Sequence, residues 1–318
     1  MSYKVVVFSQ IDQDILIELQ SRYEVVVLNP KSGDINQQLL SEVCTADALI
    51  GAGRVLDQTN LHTATRLKVI SSVSVGYDNY DLEYLNQKNI KLTNTPHVLT
   101  AATADLAWTL LLAAARRVPA LDAWTKQGLW TRSISKHQFG LEVTGKTIGI
   151  IGLGEIGSAI AKRAHLGFDM RVLYHNRSEN PARAKETNAR YVPLTELLQQ
   201  SDFVVVSVDL NSSSQVLIGK KELKSMQPHA VLVNISRGAV IDEKALIEAL
   251  QHNDIFAAGL DVYQQEPLAV SELFQLPNVV TLPHIGSATI ETRKKMAELA
   301  LKNLIDVLEK GTSDFCVN

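Results

Sequence analysis

Three glycines near the middle of the chain have the spacing of a phosphate-binding turn. Gly152, Gly154 and Gly157 form the pattern G-x-G-x-x-G, between an apolar run at 148–151 and a segment with helical spacing at 158–165. In a strand–turn–helix unit the first glycine permits a tight turn, the second lets the backbone approach a pyrophosphate, and the third lets helix and strand pack closely. The pattern therefore predicts a dinucleotide-binding turn made of Gly152, Leu153, Gly154, Glu155, Ile156 and Gly157.

Three polar residues further along the chain have the right groups for carbonyl chemistry. Arg237, Glu266 and His284 each follow an apolar run predicted to be a strand, and ligands of doubly wound sheets bind at strand ends. A guanidinium can bind a carboxylate with two hydrogen bonds, and an imidazole held by a carboxylate suits a general acid. Each residue alone also fits a solvated or packed side chain, but their shared placement favours catalysis.

The elements that must position these residues alternate between strands and helices. In the first third of the chain, strands are predicted at 4–8, 24–28, 48–51, 69–72 and 90–93, with amphipathic segments at 14–22 and 81–87. After a long helix at 100–118, further strands are predicted at 148–151, 172–174, 203–208, 231–235, 258–261 and 279–282. The segment 287–309 is predicted to be one long helix.

This alternation predicts an α/β fold with two domains, which suits a chain of 318 residues. We expect a Rossmann-type doubly wound nucleotide domain and a smaller flavodoxin-like α/β substrate domain. A final helix often packs back on the first domain, so the substrate-binding domain is expected to be discontinuous, at 1–98 and 288–318. The dinucleotide-binding domain is expected at 99–287.

The end of the second nucleotide-domain strand bears on cofactor choice. NAD-binding units usually carry an acidic residue about 20 residues after the glycines, but the segment here reads LYHNRS at 173–178, without an acid. Asn176, Arg177 and Ser178 can instead bind a 2′-phosphate, so NADP(H) is predicted to be preferred over NAD(H). Two points count against this: Arg177 can be a solvated loop arginine, and Asp209 follows a nearby strand.

Composition limits the partners and the compartment. A net charge of −3 gives no electrostatic reason to expect binding to nucleic acid or to an anionic membrane. Cys44 and Cys316 lie far apart, without metal-ligand spacing, and are expected to be free thiols of a cytoplasmic protein. The N-terminus has no signal-peptide pattern, and the longest apolar tract, 106–115, is too short to span a bilayer.

With these motifs in place, the chain resembles D-isomer-specific 2-hydroxyacid dehydrogenases, in particular their glyoxylate/hydroxypyruvate reductase branch with its 2-ketogluconate reductase-like members. The resemblance covers essentially the whole chain. It rests on SVGYDN at 74–79, NTP at 94–96, the glycine turn at 152–157, NISRG at 234–238, AGLDVYQQEP at 258–267 and PHIGSAT at 283–289.

The resemblance implies roles for individual residues. It implies that the substrate is bound by the backbone N–H groups near Val75 and Gly76 together with Arg237 and Ser287, and that Glu266 and His284 form the acid/base pair. On the cofactor side it adds Thr103, Ile235 and Asp261, the last near the nicotinamide carboxamide. It also implies a homodimer formed mainly through the nucleotide domains.

Two positions depart from the family pattern. Asp105 stands where the family often has Glu, and Asp209 stands where it often has Pro. Neither takes part in the expected chemistry, although Asp209 makes the adenine-side contacts less certain. Formate dehydrogenases typically carry Gln at the position of Glu266, so that activity is not expected.

The sequence is therefore interpreted as that of an enzyme that uses NAD(P)H to reduce small 2-oxo acids to D-2-hydroxy acids. Hydroxypyruvate and glyoxylate are the first substrates to consider, followed by 2-ketogluconate. The alternative is a nucleotide-sensing, corepressor-like protein with the same fold. A turnover assay separates the two, because a sensor binds nucleotide with negligible steady-state oxidation.

Overall fold

A computed structural model describes residues 2–318. The chain divides into two compact units: Met1–Leu99 with Ala288–Asn318, and Thr100–Ser287. None of the helices in the described part of the chain combines the length and the apolar composition needed to span a bilayer.

The first unit is built on a five-stranded sheet. Its strands are β1 Lys4–Val7, β2 Glu24–Val27, β3 Ala48–Gly51, β4 Val69–Ser72 and β5 Lys91–Thr93. All pairs are parallel, in the order β2-β1-β3-β4-β5, which is the flavodoxin-like order. The helices of this unit are α1 Gln13–Arg22, α2 Ile35–Val43, α3 Gln58–Leu61, α4 Leu82–Gln87 and the C-terminal helix Ile290–Lys310.

Helices cover both faces of this sheet, and its central strands β3 and β4 are buried along their whole length. One face packs against the helices α2, α3 and α4 through Leu39, Val43, Leu61 and Leu85. The other face packs against α1 and the C-terminal helix through Ile15, Leu19, Ala300 and Leu304.

The second unit contains a seven-stranded parallel sheet. Its strands are β6 Thr147–Ile151, β7 Arg171–His175, β8 Ala189–Tyr191, β9 Phe203–Val206, β10 Val231–Asn234, β11 Ala257–Leu260 and β12 Val279–Thr281. The strand order is β12-β11-β10-β9-β6-β7-β8. Starting at β6, the chain adds β7 and β8 on one side of the sheet and then β9 to β12 on the other, which is the doubly wound arrangement. The helices are α5 Thr100–Ala115, α6 Val118–Lys126, α7 Glu155–Phe168, α8 Pro181–Thr187, α9 Leu194–Gln200, α10 Lys220–Ser225 and α11 Glu243–Gln251.

The predicted fold class is confirmed, and the differences lie mainly at element ends. The helix predicted at 100–118 ends at Ala115, because Arg117 adopts a left-handed conformation with φ 56° and α6 starts anew at Val118. The C-terminal helix begins three residues later than predicted because the Thr289 side chain caps it by accepting a hydrogen bond from the Thr292 amide. The short edge strand β8 was not predicted.

Candidate active site

The second unit brings Arg237, Glu266 and His284 to the same edge of its sheet. They follow β10, β11 and β12, which are neighbours in the sheet order. In a parallel sheet these strands all end at one edge, and that edge is where doubly wound sheets bind ligands.

Arg237 lies in the turn after β10, and the side chain of Asn234 holds the backbone of this turn. Asn234 is 1% exposed; its Oδ1 accepts from the Ser236 amide at 3.1 Å, and its Nδ2 donates to the Arg237 carbonyl at 3.0 Å. Gly238 follows, and a Cβ there would lie 1.8 Å from the Tyr263 carbonyl carbon. Only glycine allows the turn after β10 to pack this closely on the turn after β11. The predicted cofactor contact Ile235 is buried inside the first of these turns.

Glu266 and His284 form a hydrogen-bonded pair. Nδ1 of His284 lies 2.6 Å from Oε2 of Glu266, while Oε1 of Glu266 accepts from the Tyr263 amide at 3.0 Å. Burial raises the pKa of Glu266, but the bonds from His284 and Tyr263 and the charge of Arg237 outweigh burial, so this pKa lies below its ordinary value. Glu266 is therefore an anion at neutral pH, and it leaves Nε2 as the ring nitrogen of His284 that can meet a ligand.

Asp261 holds the turn that follows His284. Its side chain is 1% exposed, and its two carboxylate oxygens accept from the amides of Ile285 at 2.7 Å and Gly286 at 2.8 Å. Burial raises the pKa of Asp261, against the lowering effect of these two bonds and of His284. Thr103 of α5 lies beside this turn, since a Cβ on Gly286 would be 3.4 Å from its Cγ2.

Ser287 comes directly after this turn, three residues past His284, and is half-buried. Tyr263 stabilises the segment just before His284, because its hydroxyl donates to the Leu282 carbonyl at 2.9 Å. Burial, together with the nearby charge of Asp261, raises the pKa of Tyr263 to about 12. Its hydroxyl therefore remains a donor across the physiological range.

The glycine turn has the shape that a dinucleotide needs. Gly152 has φ 100°, and a Cβ on it would lie 2.2 Å from the Ser207 carbonyl oxygen. A Cβ on Gly157 would lie 2.0 Å from the Gly152 carbonyl oxygen. Gly154, by contrast, has no atom within 4 Å of its Cβ position. The open space at Gly154, at the N-terminus of the 14-residue helix α7, fits a pyrophosphate on the helix N–H groups.

The loop after β7 places the three predicted phosphate contacts differently. Asn176 points back to the glycine turn, where its Oδ1 accepts from the Leu153 amide at 2.7 Å. Arg177 and Ser178 are exposed, and the Arg177 side chain makes no hydrogen bond or ion pair with any residue of 2–318. Asp209 is also exposed, just beyond the end of β9. The Leu153 amide is thus already occupied, and of the three predicted contacts Arg177 and Ser178 are the ones exposed to an incoming anion.

One charged pair beside the glycine turn was missed by the sequence interpretation. Glu155 is the first residue of α7, and its Oε1 lies 3.8 Å from Nη2 of Arg183 on α8. Nη1 of Arg183 also lies 3.5 Å from the Ser158 hydroxyl. Arg183 therefore pairs with a carboxylate at the N-terminus of α7, the helix whose first turn carries the predicted phosphate position. In the sequence, the only indication of a role for Arg183 is its position early in α8, shortly after the 176–178 loop.

Val75 and Gly76 belong to the first unit, in the loop that follows β4. Both are half-buried. They lie at the carboxyl edge of that sheet, the edge that carries ligands in open α/β folds. The Asn94 side chain donates to the Val75 carbonyl at 2.9 Å, a contact that the sequence interpretation did not foresee.

Comparison with known proteins agrees with this architecture. The family model described as D-isomer specific 2-hydroxyacid dehydrogenase, NAD binding domain, matches residues 108–286. The chain is 43% identical to a glyoxylate/hydroxypyruvate reductase B of Klebsiella pneumoniae, over 100% of this chain and 99% of that protein. It is 44% identical to the protein of the same name from Yersinia enterocolitica, over 100% and 98%.

Solved structures give the same picture. A protein of Thermus thermophilus superposes with a TM-score of 0.90 at 40% identity, over 99% of this chain and 100% of that one. An NADPH-dependent glyoxylate/hydroxypyruvate reductase from Sinorhizobium meliloti, solved with NADP and malonate, superposes with a TM-score of 0.88 at 31% identity, over 100% and 97%. Together with the match at 108–286 and the full-length relatives, these findings show that the chain belongs to the D-isomer specific 2-hydroxyacid dehydrogenase family of oxidoreductases, in its glyoxylate/hydroxypyruvate reductase B branch.

Proposed function

We propose that this chain is an NADPH-preferring reductase that converts small 2-oxo acids to D-2-hydroxy acids. The observation that carries the proposal is the hydrogen-bonded pair of Glu266 and His284, on the strand-end edge that also presents Arg237. Hydroxypyruvate and glyoxylate are the first substrates proposed, because the full-length relatives are named for them. 2-Ketogluconate is the next.

His284 is proposed as the general acid. His284 would donate a proton from Nε2 to the carbonyl oxygen of the oxo acid, whose C2 would take up the hydride that a bound reduced nicotinamide would supply. Glu266 occupies Nδ1 and, as an anion, stabilises the imidazolium that must donate. The pair thus fixes the orientation of the ring and places the negative charge of Glu266 next to it.

Arg237 is proposed to bind the substrate carboxylate. Its fork geometry suits a bidentate bond, and the support from Asn234 and the close packing at Gly238 fix the turn that carries it. We propose that the backbone N–H groups at Val75 and Gly76 and the Ser287 hydroxyl also contact the substrate.

The NADPH preference is supported by residues 176–178, directly after β7, which include Arg177 and Ser178 but no carboxylate; the acid of this loop, Glu179, follows them. A carboxylate there would bind ribose hydroxyls and repel a 2′-phosphate, whereas a guanidinium attracts it. The S. meliloti relative solved with NADP is consistent with this choice. At the nicotinamide end, Thr103, Ile235 and Asp261 are proposed as contacts.

The two units are assigned roles in the same proposal. Residues 1–98 and 288–318 would bind the substrate and residues 99–287 the dinucleotide. A cytoplasmic homodimer is proposed on two grounds. Cys44 and Cys316 are free thiols, and the segment from 118 to 139 exposes apolar side chains that a partner would cover. These are Val118, Leu129, Trp130, Ile134 and Phe139.

A substrate panel tests the proposal. Hydroxypyruvate, glyoxylate, 2-ketogluconate and pyruvate are each assayed with NADPH and with NADH. We expect the highest kcat/KM for hydroxypyruvate or glyoxylate with NADPH. Tight NADPH binding without steady-state oxidation by any of them would overturn the proposal in favour of a nucleotide sensor.

A further inference from the structure

A chain of hydrogen bonds in the first unit ends on the carbonyl oxygen of Val75. Asn94, which is 8% exposed and follows β5, donates from Nδ2 to that oxygen at 2.9 Å. The bond spans two loops that leave neighbouring strands of the sheet. Since Val75 and Gly76 share one peptide group, whatever holds the Val75 carbonyl also holds the Gly76 N–H.

Asn94 is itself held on both sides of its backbone. Its amide donates to the Phe315 carbonyl at 3.2 Å, and its carbonyl accepts from Nδ2 of Asn303 at 3.0 Å. Asn303 lies in the C-terminal helix with no exposed surface, and its Oδ1 accepts from the Ser313 hydroxyl at 2.8 Å. The Asn94 side chain therefore has little freedom to leave Val75.

Because a peptide group is planar, the hydrogen bond from Asn94 to the Val75 carbonyl also fixes the direction of the Gly76 N–H. The Val75–Gly76 peptide is trans, so its C=O and N–H point in opposite directions. With the carbonyl fixed on Asn94, the Gly76 N–H points away from Asn94. A carbonyl that accepts a hydrogen bond also polarises its peptide group, which strengthens the N–H as a donor.

We infer that Asn94 is a positioning residue that aims the Gly76 N–H at the substrate carboxylate. The inference rests on the proposed function, in which this amide binds the oxo acid. Asn94 does not touch the substrate and acts only through the Val75–Gly76 peptide. The loop keeps a second tie without it, because the Thr95 amide donates to the Ser74 carbonyl at 2.9 Å. Loss of Asn94 should therefore misalign the amide without detaching the loop.

The test compares two Asn94 variants with a matched control. Asn94→Ala removes the donor, and Asn94→Ser is a polar second variant whose hydroxyl is too short to reach Val75. The control is Asn278→Ala, because the Asn278 side chain also donates to backbone carbonyls, those of Leu250 and Phe256, in the second unit. For each variant, thermal unfolding, KM and kcat for hydroxypyruvate, the inhibition constant of the non-reducible acid oxamate, and Kd for NADPH are measured.

In the Asn94 variants we expect KM and the oxamate inhibition constant to rise about tenfold, the lower end of the value of a hydrogen bond to a charged group. kcat should change less, and Kd for NADPH should stay at the parent value. Asn278→Ala should lose thermal stability without a change in KM. Parent-like KM and oxamate inhibition in a folded Asn94 variant would overturn the inference.

Arg237→Lys separates this failure from a failure of the proposed function. If Arg237→Lys weakens oxo-acid binding while the Asn94 variants do not, Asn94 has no positioning role but the proposed carboxylate anchor stands. If neither substitution weakens binding, the carboxylate is bound elsewhere and both ideas are wrong.

Discussion

Nδ1 of His284 lies 2.6 Å from Oε2 of Glu266, although 18 residues separate them in the chain. The contact exists because β11 and β12 are neighbours and both end at the same edge of the sheet. The glutamate is held in turn by the Tyr263 amide, and the turn after His284 is held by Asp261. Both members of the pair are thus oriented before any ligand binds.

Replacing Glu266 with Gln is expected to move the pH profile of reduction. The lowered pKa of Glu266 keeps it ionised at neutral pH, and a carboxylate neighbour favours the protonated imidazole. Glu266→Gln removes that charge, so the alkaline limb of kcat/KM should shift to lower pH. Glu272→Gln, at an exposed position in the same unit, is the control. An unmoved limb would mean that Glu266 does not tune His284.

Arg237→Lys keeps the charge but loses the planar fork, so it is not conservative at a bidentate site. We expect kcat/KM for hydroxypyruvate to fall by roughly 10–100-fold, the value of a hydrogen bond to a charged group, with Kd for NADPH unchanged. Arg171→Lys, at the amino end of β7, should leave both constants at their parent values. If kcat/KM survives in Arg237→Lys, Arg237 has a structural role.

The glycine turn predicts opposite outcomes for two similar substitutions. Gly154→Ala should fold with a Tm close to that of the parent, because no atom lies within 4 Å of the new Cβ, yet it should weaken NADPH and NADH alike by filling the pyrophosphate position. Gly157→Ala should lower Tm, since its Cβ would lie 2.0 Å from the Gly152 carbonyl oxygen. Thermal melts and Kd for both cofactors check this. Parent-like cofactor binding by Gly154→Ala would place the pyrophosphate elsewhere.

Cofactor choice is expected to depend on Arg177. Its exposed guanidinium makes no hydrogen bond or ion pair within residues 2–318, so Arg177→Ala should weaken NADPH by roughly 10–100-fold and leave NADH nearly unchanged. Asn176→Asp should tilt preference toward NADH, because it adds a charge while keeping an acceptor for the Leu153 amide. Arg190→Ala, which removes an exposed arginine paired with Glu196, is the control. Equal losses for NADPH and NADH would mean that Arg177 only supports the loop.

Much of the fold could be predicted from local patterns. The strands β3 and β4 begin and end at the predicted residues. Each starts with apolar residues directly after a charged one, Asp47 or Lys68, so its beginning is marked in the sequence. The break at Arg117 was missed because the left-handed arginine itself has no sequence signature, although Pro119 in the first turn of α6 is typical of a helix start. The strand β8 was not predicted either, because it is only three residues long, lies at a sheet edge and carries the exposed Arg190.

Some parts of the candidate site could be predicted from the sequence and others could not. The shared edge of Arg237, Glu266 and His284 follows from strand order, which alternating elements already suggest. The contact of Glu155 with Arg183 depends on how α8 packs against α7, and that of Asn94 with Asn303 joins positions 209 residues apart. Neither pair shares a helix face or a strand register, so no periodicity in the sequence connects its members.

The most direct test is steady-state NADPH oxidation by hydroxypyruvate, measured in the parent protein and in His284→Ala, with His252→Ala as an exposed-histidine control. The parent should turn over. His284→Ala should lose kcat by a factor on the order of 10²–10⁴, the usual contribution of general acid–base catalysis, with Kd for NADPH unchanged and His252→Ala like the parent. Near-normal turnover in His284→Ala would contradict the role of His284, and a parent that binds NADPH without oxidising it would contradict the reductase itself.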